Sequence, residues 1–146
     1  MTDTNINKTT AVKVGDIPDY NADHDYFAIT IKGDCLNNDQ SPMVIKDGDL
    51  LLCHRINRRV FISNWHTYKD RIVLVEPFTR FAPYVKQTSG NHYIFGGDVQ
   101  SGLVKQFVGI EHGFFAVLRM FNPPTTLSVN LDEIKEISII DKVLEP

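Results

Sequence analysis

The chain has 146 residues, 42% of them hydrophobic and 23% charged, with a formal net charge of −3. That balance describes one ordinary soluble domain and excludes a two-domain enzyme, a disordered tail and a broad charge-driven DNA-binding surface, which needs a concentrated basic face. Two cysteines cannot build a disulfide framework, no apolar run approaches the roughly 20 residues that span a bilayer, and the start MTDTNINKTT lacks the features of a signal peptide. A cytoplasmic protein in a reducing compartment, with no membrane association, is the expectation.

Residues 1–25 are polar, lack a helical apolar period and are punctuated by Gly15, Pro18, Asn21, Asp23 and Asp25. They read as a flexible N-terminal arm, followed by one domain over 26–146. Tyr26–Lys32 (YFAITIK) sets Phe27, Ile29 and Ile31 against Ala28, Thr30 and Lys32, the alternation of a half-buried strand. The next segment opens with a Gly33-Asp34 turn, crosses the polar stretch NNDQSP and closes in Asp47-Gly48-Asp49, a turn signal ahead of the apolar run 50–53. Further β-rich runs follow at 72–75, 93–95, 103–108, 114–120, 126–130 and 137–140, separated by Gly-Gly, Ser-Gly, His-Gly and Asn-Pro-Pro breaks. This spacing predicts a mostly antiparallel all-β domain. Helical turns are expected only around 64–69 and 131–135, where Asn130 is placed to cap and Asp132 and Glu133 suit the positive end of a helix dipole.

A lysine can replace histidine in activating a nucleophile when its amine is buried among apolar strands, because desolvation disfavours the ammonium form. The sequence supplies both parts of such a pair. Cys35 follows Gly33-Asp34 on a turn at the end of the first strand, and Lys105 interrupts the apolar run LVKQFV.

With these residues the chain resembles the LexA-type self-cleaving repressors and their stand-alone relative UmuD, which are Ser–Lys peptidases. Their pattern is Gly-Asp-Ser-Met, an apolar residue shortly before Asp-Gly-Asp, Val-Lys-Arg on a later strand, and Asn-Pro near the C-terminal end. This chain has Gly33-Asp34-Cys35-Leu36, then Ile45-Lys46-Asp47-Gly48-Asp49, then Val104-Lys105-Gln106, then Asn122-Pro123, in the same order. The resemblance covers about residues 26–143. It departs from the family at Cys35, where serine is usual, at Leu36, where methionine is usual, and in the lengths of the segments after Cys35 and after Val75.

The resemblance implies a coiled, partly closed antiparallel β-barrel of the LexA C-terminal-domain type. It also implies a catalytic pair of Cys35 as nucleophile and Lys105 as general base, with the turn Gly33, Asp34 and Cys35 offering the Cys35 N–H to an oxyanion. Asp47, Gly48, Asp49, Asn122 and Pro123 would frame the site. A Cys–Lys pair would favour thiolate and ammonium, so attack is easy and Lys105 must protonate the leaving amine. The family cuts an Ala-Gly or Cys-Gly bond in its arm; here the arm offers only Val14-Gly15, with a bulkier β-branched residue before the glycine. Nothing in residues 1–25 can form the helix-turn-helix of the family's repressors, so direct DNA binding is not expected. No membrane anchor is present to suit a signal peptidase.

The expected function is a stand-alone LexA/UmuD-like regulatory domain, phage- or stress-related (the SOS response), homodimeric, with a modified or inactive Cys–Lys dyad and no cofactor. The alternative is a non-enzymatic interaction or dimerisation module that partners a separate DNA-binding or polymerase protein in a transcription or DNA-damage pathway. In that reading Cys35 is a small half-buried residue and Lys105 a surface lysine on a strand edge or a relic of an ancestral site.

Other features take structural readings. Histidines 24, 54, 66, 92 and 112 show no HxH or HExxH spacing, and Cys53 and His54 point to opposite faces of a strand, so no metal site is expected. Arg55, Arg58 and Arg59 read as a solvated strand end or loop. Trp65, His66 and Tyr68 read as core packing or a hairpin corner. Phe78, Arg80, Phe81, Tyr84 and Lys86 read as a loop folded over the barrel or a dimer contact rather than a stacking platform. Gly96-Gly97-Asp98 lacks the following helix of a phosphate cradle.

Overall fold

The computed structural model describes residues 5–9, 17, 19–77, 86–87, 92–94, 102–122 and 124–144. The protein is mostly β, as its turn-punctuated alternation requires. Its strands are β1 (Asn5–Thr9), β2 (Tyr26–Lys32), β3 (Leu50–Ile56), β4 (Ile72–Pro77), β5 (Lys86–Gln87), β6 (His92–Ile94), β7 (Leu103–Glu111), β8 (Phe115–Phe121), β9 (Pro124–Asn130) and β10 (Ile134–Leu144). Seven of them form a continuous antiparallel sheet in the order β2-β3-β10-β4-β7-β8-β9. Within the stretch read as an arm, β1 pairs antiparallel with β2, Asn5 opposite Lys32 and Thr9 opposite Ala28, and Ile17 is buried. At the other end β6 lies parallel to β9, with β5 beyond it.

Two short helices lie between β3 and β4, α1 (Arg58–Ser63) and α2 (Trp65–Tyr68). Only α2 falls where the sequence predicts helix. In α1 the β-branched Val60 and Ile62 disfavour helix, and the helix forms because the Asn57 side chain accepts from the Arg59 and Val60 N–H groups while Phe61 enters the core. The second predicted turn is a single 3-10 turn, Leu131–Glu133, with the Asn130 side chain accepting from the Asp132 N–H.

Alternate residues of β4 serve different cores. Val73 and Val75 join Leu103, Phe107, Leu118, Leu127, Ile137 and Ile139, with Phe61 of α1 in the same cluster and Trp65 and Tyr68 of α2 packed against it. Ile72 and Leu74 join Val104 and Ile140, Phe27, Ile29 and Ile31 of β2, Leu51 and Cys53 of β3, and Leu36 and Ile45 of the connecting segment. The sheet is therefore buried on both faces.

That second core depends on curvature. Five strand intervals separate β2 from β8, roughly 24 Å in a flat sheet at ~4.8 Å per strand. Cys35 lies three residues beyond the end of β2, a reach of roughly 10 Å for extended chain. Yet the Cys35 carbonyl accepts from the N–H groups of Phe121 and Asn122 at the end of β8. The sheet must coil strongly for this to occur, in the direction that strand twist provides.

The expected partial closure into a barrel is not what forms. Among the described residues β1 and β5 end the sheet without pairing to each other, and the sheet stays open. Side-chain packing on both faces substitutes for strand-to-strand closure. No helix among the described residues is long and apolar enough to cross a membrane.

Candidate functional site

The turn after β2 is built by two interlocked aspartates. Gly33 has φ of +118°, a region suited to glycine, which turns the chain out of the strand. The Gly33 N–H donates to Asp47 Oδ1 at 2.7 Å, and the Asp47 N–H donates to Asp34 Oδ1 at 3.0 Å, so each turn holds the other. Gly48, with φ of +88°, lets its N–H reach the Ile31 carbonyl, while the Asp49 carbonyl accepts from the Ile31 N–H. The two Gly/Asp motifs, 14 residues apart, thus form one rigid corner.

The fourth motif segment docks onto this corner through Asn122. Besides the two bonds to the Cys35 carbonyl, Asn122 Nδ2 donates to the Asp34 carbonyl at 3.3 Å and Asn38 Nδ2 to the Phe121 carbonyl at 3.4 Å. Pro123 lies outside the described residues, as do Val14-Gly15, Gly96-Gly97-Asp98 and Phe78, Arg80, Phe81 and Tyr84.

Lys105 sits in β7, between β4 and β8, opposite Val73 in the ladder. Its side chain is 0% exposed, which corrects the alternative reading of a surface lysine on a strand edge. A lysine fully buried in a central strand is rare unless it has a partner. The partner is Cys35: the Lys105 amine donates to the Cys35 sulfur across 3.0 Å. The sulfur also lies 3.9 Å from the Val104 carbonyl, within reach of a weak S–H donation. Cys35 is half-buried, so the pair has one closed side, the amine, and one side open enough for a reactant, the thiol. Cys53 is fully buried in the second core, with its sulfur 3.8 Å from the Leu51 carbonyl.

Near the Cys35 backbone lies an open cavity of about 470 Å³, lined by Asn38, Gln40, Arg119, Met120, Phe121, Pro124, Thr125 and Thr126 and by neither member of the pair. It shares Phe121 with the backbone that holds Cys35. Sequence reasoning missed this cavity because its lining comes from the 33–49 segment, β8 and β9, none of which carries a motif there.

A second polar group also escaped notice. His24 and His54 stack with ring centroids 4.0 Å apart, His54 Nδ1 is 2.7 Å from Asp141 Oδ2, and the Tyr26 hydroxyl lies 3.3 Å from His24 Nδ1. These residues fasten the segment before β2 to the β3–β10 ladder. Among the described residues no group of three metal-ligating side chains assembles.

Two of the three arginines of the basic cluster have partners, and Arg59 is exposed on α1. Arg55 bonds Asp25 at 2.7 Å and covers the Phe27 ring, and Arg58 donates to the Leu131 carbonyl at 2.7 Å with Asp132 3.8 Å away. Trp65 packs edge-on against Phe107 and fills the space above Gly109, where an added Cβ would stand 3.1 Å from its ring.

Comparison with protein-family models, with curated proteins and with solved structures returns no match for this chain. The class that the fold and site define is an open, coiled all-β sheet carrying a buried lysine against a turn cysteine.

Proposed function

We propose that the protein is a regulatory domain of the LexA/UmuD peptidase type in which Cys35 and Lys105 act as nucleophile and general base. The observation that carries this reading is the 3.0 Å contact between a fully buried amine and a half-exposed thiol. The reading is supported further by the docking of the Gly33–Cys35 turn, the Asp47–Asp49 turn and Asn122 on one another, since these are the segments that carry the sequence resemblance.

In this reading Lys105 takes the thiol proton as the sulfur attacks an amide carbonyl. The Cys35 N–H faces the developing oxyanion, and Lys105 then returns the proton to the departing nitrogen. Thiolate is a better leaving group than an unprotonated amine, so this last transfer decides whether the intermediate goes forward. Water then hydrolyses the thioester. The adjoining cavity gives an extended peptide a place to lie. A homodimer and a protein partner in a transcription or DNA-damage pathway belong to the same proposal and rest on the resemblance.

The test is intact-mass analysis of the protein during incubation at alkaline pH, combined with iodoacetamide labelling. The expected result is a truncated product, abolished by Cys35→Ala and by Lys105→Met, with Cys35 alkylated at least tenfold faster in the parent than in Lys105→Met. An unchanged mass together with the same Cys35 alkylation rate in both proteins favours the interaction module instead.

A further inference from the structure

The same contact has a chemistry that needs no peptide. We infer that Cys35 and Lys105 form a reversible covalent sulfur–nitrogen bond when the protein meets a hydroperoxide. Three observations converge on this. The two atoms are already 3.0 Å apart. The amine is sealed in the sheet, so it stays beside the sulfur and away from bulk water. The thiol is half-exposed, which gives a small oxidant its approach.

The step balances in two parts. The Cys35 thiol reduces one hydroperoxide molecule, gaining one oxygen to become the sulfenic acid while the peroxide leaves as water or alcohol. The Lys105 nitrogen then attacks that sulfur, the sulfenic oxygen departs as water with one nitrogen-bound proton, and an S–N bond remains. Sulfur has lost two electrons, both taken by the peroxide. Sulfenic acids condense in this way with backbone nitrogen, and an amine held in contact is a better-placed nucleophile. A thiol attacking the sulfur releases the Lys105 amine and leaves a mixed disulfide on Cys35, and a second thiol then frees the Cys35 thiol and departs with the first as their disulfide. The bond removes nucleophile and base together while sparing Cys35 from irreversible oxidation. It stands on the geometry of the pair and does not require the pair to hydrolyse anything.

The experiment treats the full chain with an equivalent of hydrogen peroxide, alkylates it with iodoacetamide under denaturing conditions and maps tryptic peptides by mass. The expected product joins the peptide containing Cys35 to the one containing Lys105, lighter by two hydrogens than the reduced pair. Trypsin no longer cuts after Lys105, Cys53 is fully alkylated, and dithiothreitol restores the normal map. Recovery of Cys35 as sulfinic or sulfonic acid, or as a disulfide with Cys53 or a second copy, with normal cleavage after Lys105, overturns the inference. In Lys105→Met, checked for folding by circular dichroism, Cys35 should proceed to sulfinic acid; if that variant does not fold, the map of the unmodified chain decides alone. Cross-linking in a protein that cuts neither itself nor another polypeptide in trans would sink the peptidase reading and leave this one standing.

Discussion

At the scale of single residues, the question posed by Lys105 is whether its buried amine serves stability or chemistry. Taking a polar group out of water costs several kcal/mol unless the interactions inside offset it, and apolar replacements of similar volume are often neutral or stabilising. Lys105→Met keeps the length of the side chain and removes the amine. Thermal or urea unfolding of this variant should give a stability within about 1 kcal/mol of the parent, or higher, while Cys35 is alkylated several-fold more slowly than in the parent. A loss beyond ~2 kcal/mol would assign the amine a structural role. The identity of the pair was legible in the sequence, because a lysine inside LVKQFV and a cysteine after a Gly-Asp turn stand out against their surroundings. Its burial was not, since alternation along one strand does not tell which strands flank it.

At the scale of elements, the corner made by Gly33–Cys35 and Asp47–Asp49 fixes where the sulfur points. Asp47→Ala removes the acceptor for the Gly33 N–H and leaves the bond from the residue 47 backbone N–H to Asp34 in place. The loss should be about 0.5–1.5 kcal/mol by urea unfolding, as for one exposed hydrogen bond. The rate of Cys35 alkylation should change more than the stability does, and an unaltered rate would show that the corner does not orient the thiol. Both turns were readable from their glycines and aspartates. Their mutual hydrogen bonds were not, because the intervening residues fold as irregular chain without a period to count. Helix α1 was missed for the opposite reason: Arg58 and Arg59 read as a solvated strand end or loop, and tertiary burial of Phe61 overrides the weak helix preference of Val60 and Ile62.

At the scale of the whole molecule, coiling of the sheet brings the β2 end of the order to β8 and creates the site. The first core holds that curvature from the helical side, with Phe107 packed edge-on against Phe61 at 4.8 Å and against Trp65 at 6.2 Å. Phe107→Ala should cost about 3–5 kcal/mol in urea unfolding. Phe107 stands two residues from Lys105 on β7, so the cavity should also loosen the Lys105–Cys35 contact, read as slower alkylation of Cys35 than in the parent. A destabilisation below ~1 kcal/mol would mean that the helices are not needed to brace the sheet.

The amino-acid sequence by itself determined the all-β class, most strand positions, the turn chemistry and the two residue types with reactive side chains. These are local properties: alternation, glycine torsions and the intrinsic nucleophilicity of thiol and amine act within a few residues of chain. Only the tertiary structure decided that Lys105 lies in a central strand, that the sheet coils without closing, and that two atoms 70 positions apart in the chain stand 3.0 Å from one another. Strand order and curvature come from packing on both faces at once, and no window of sequence contains both faces.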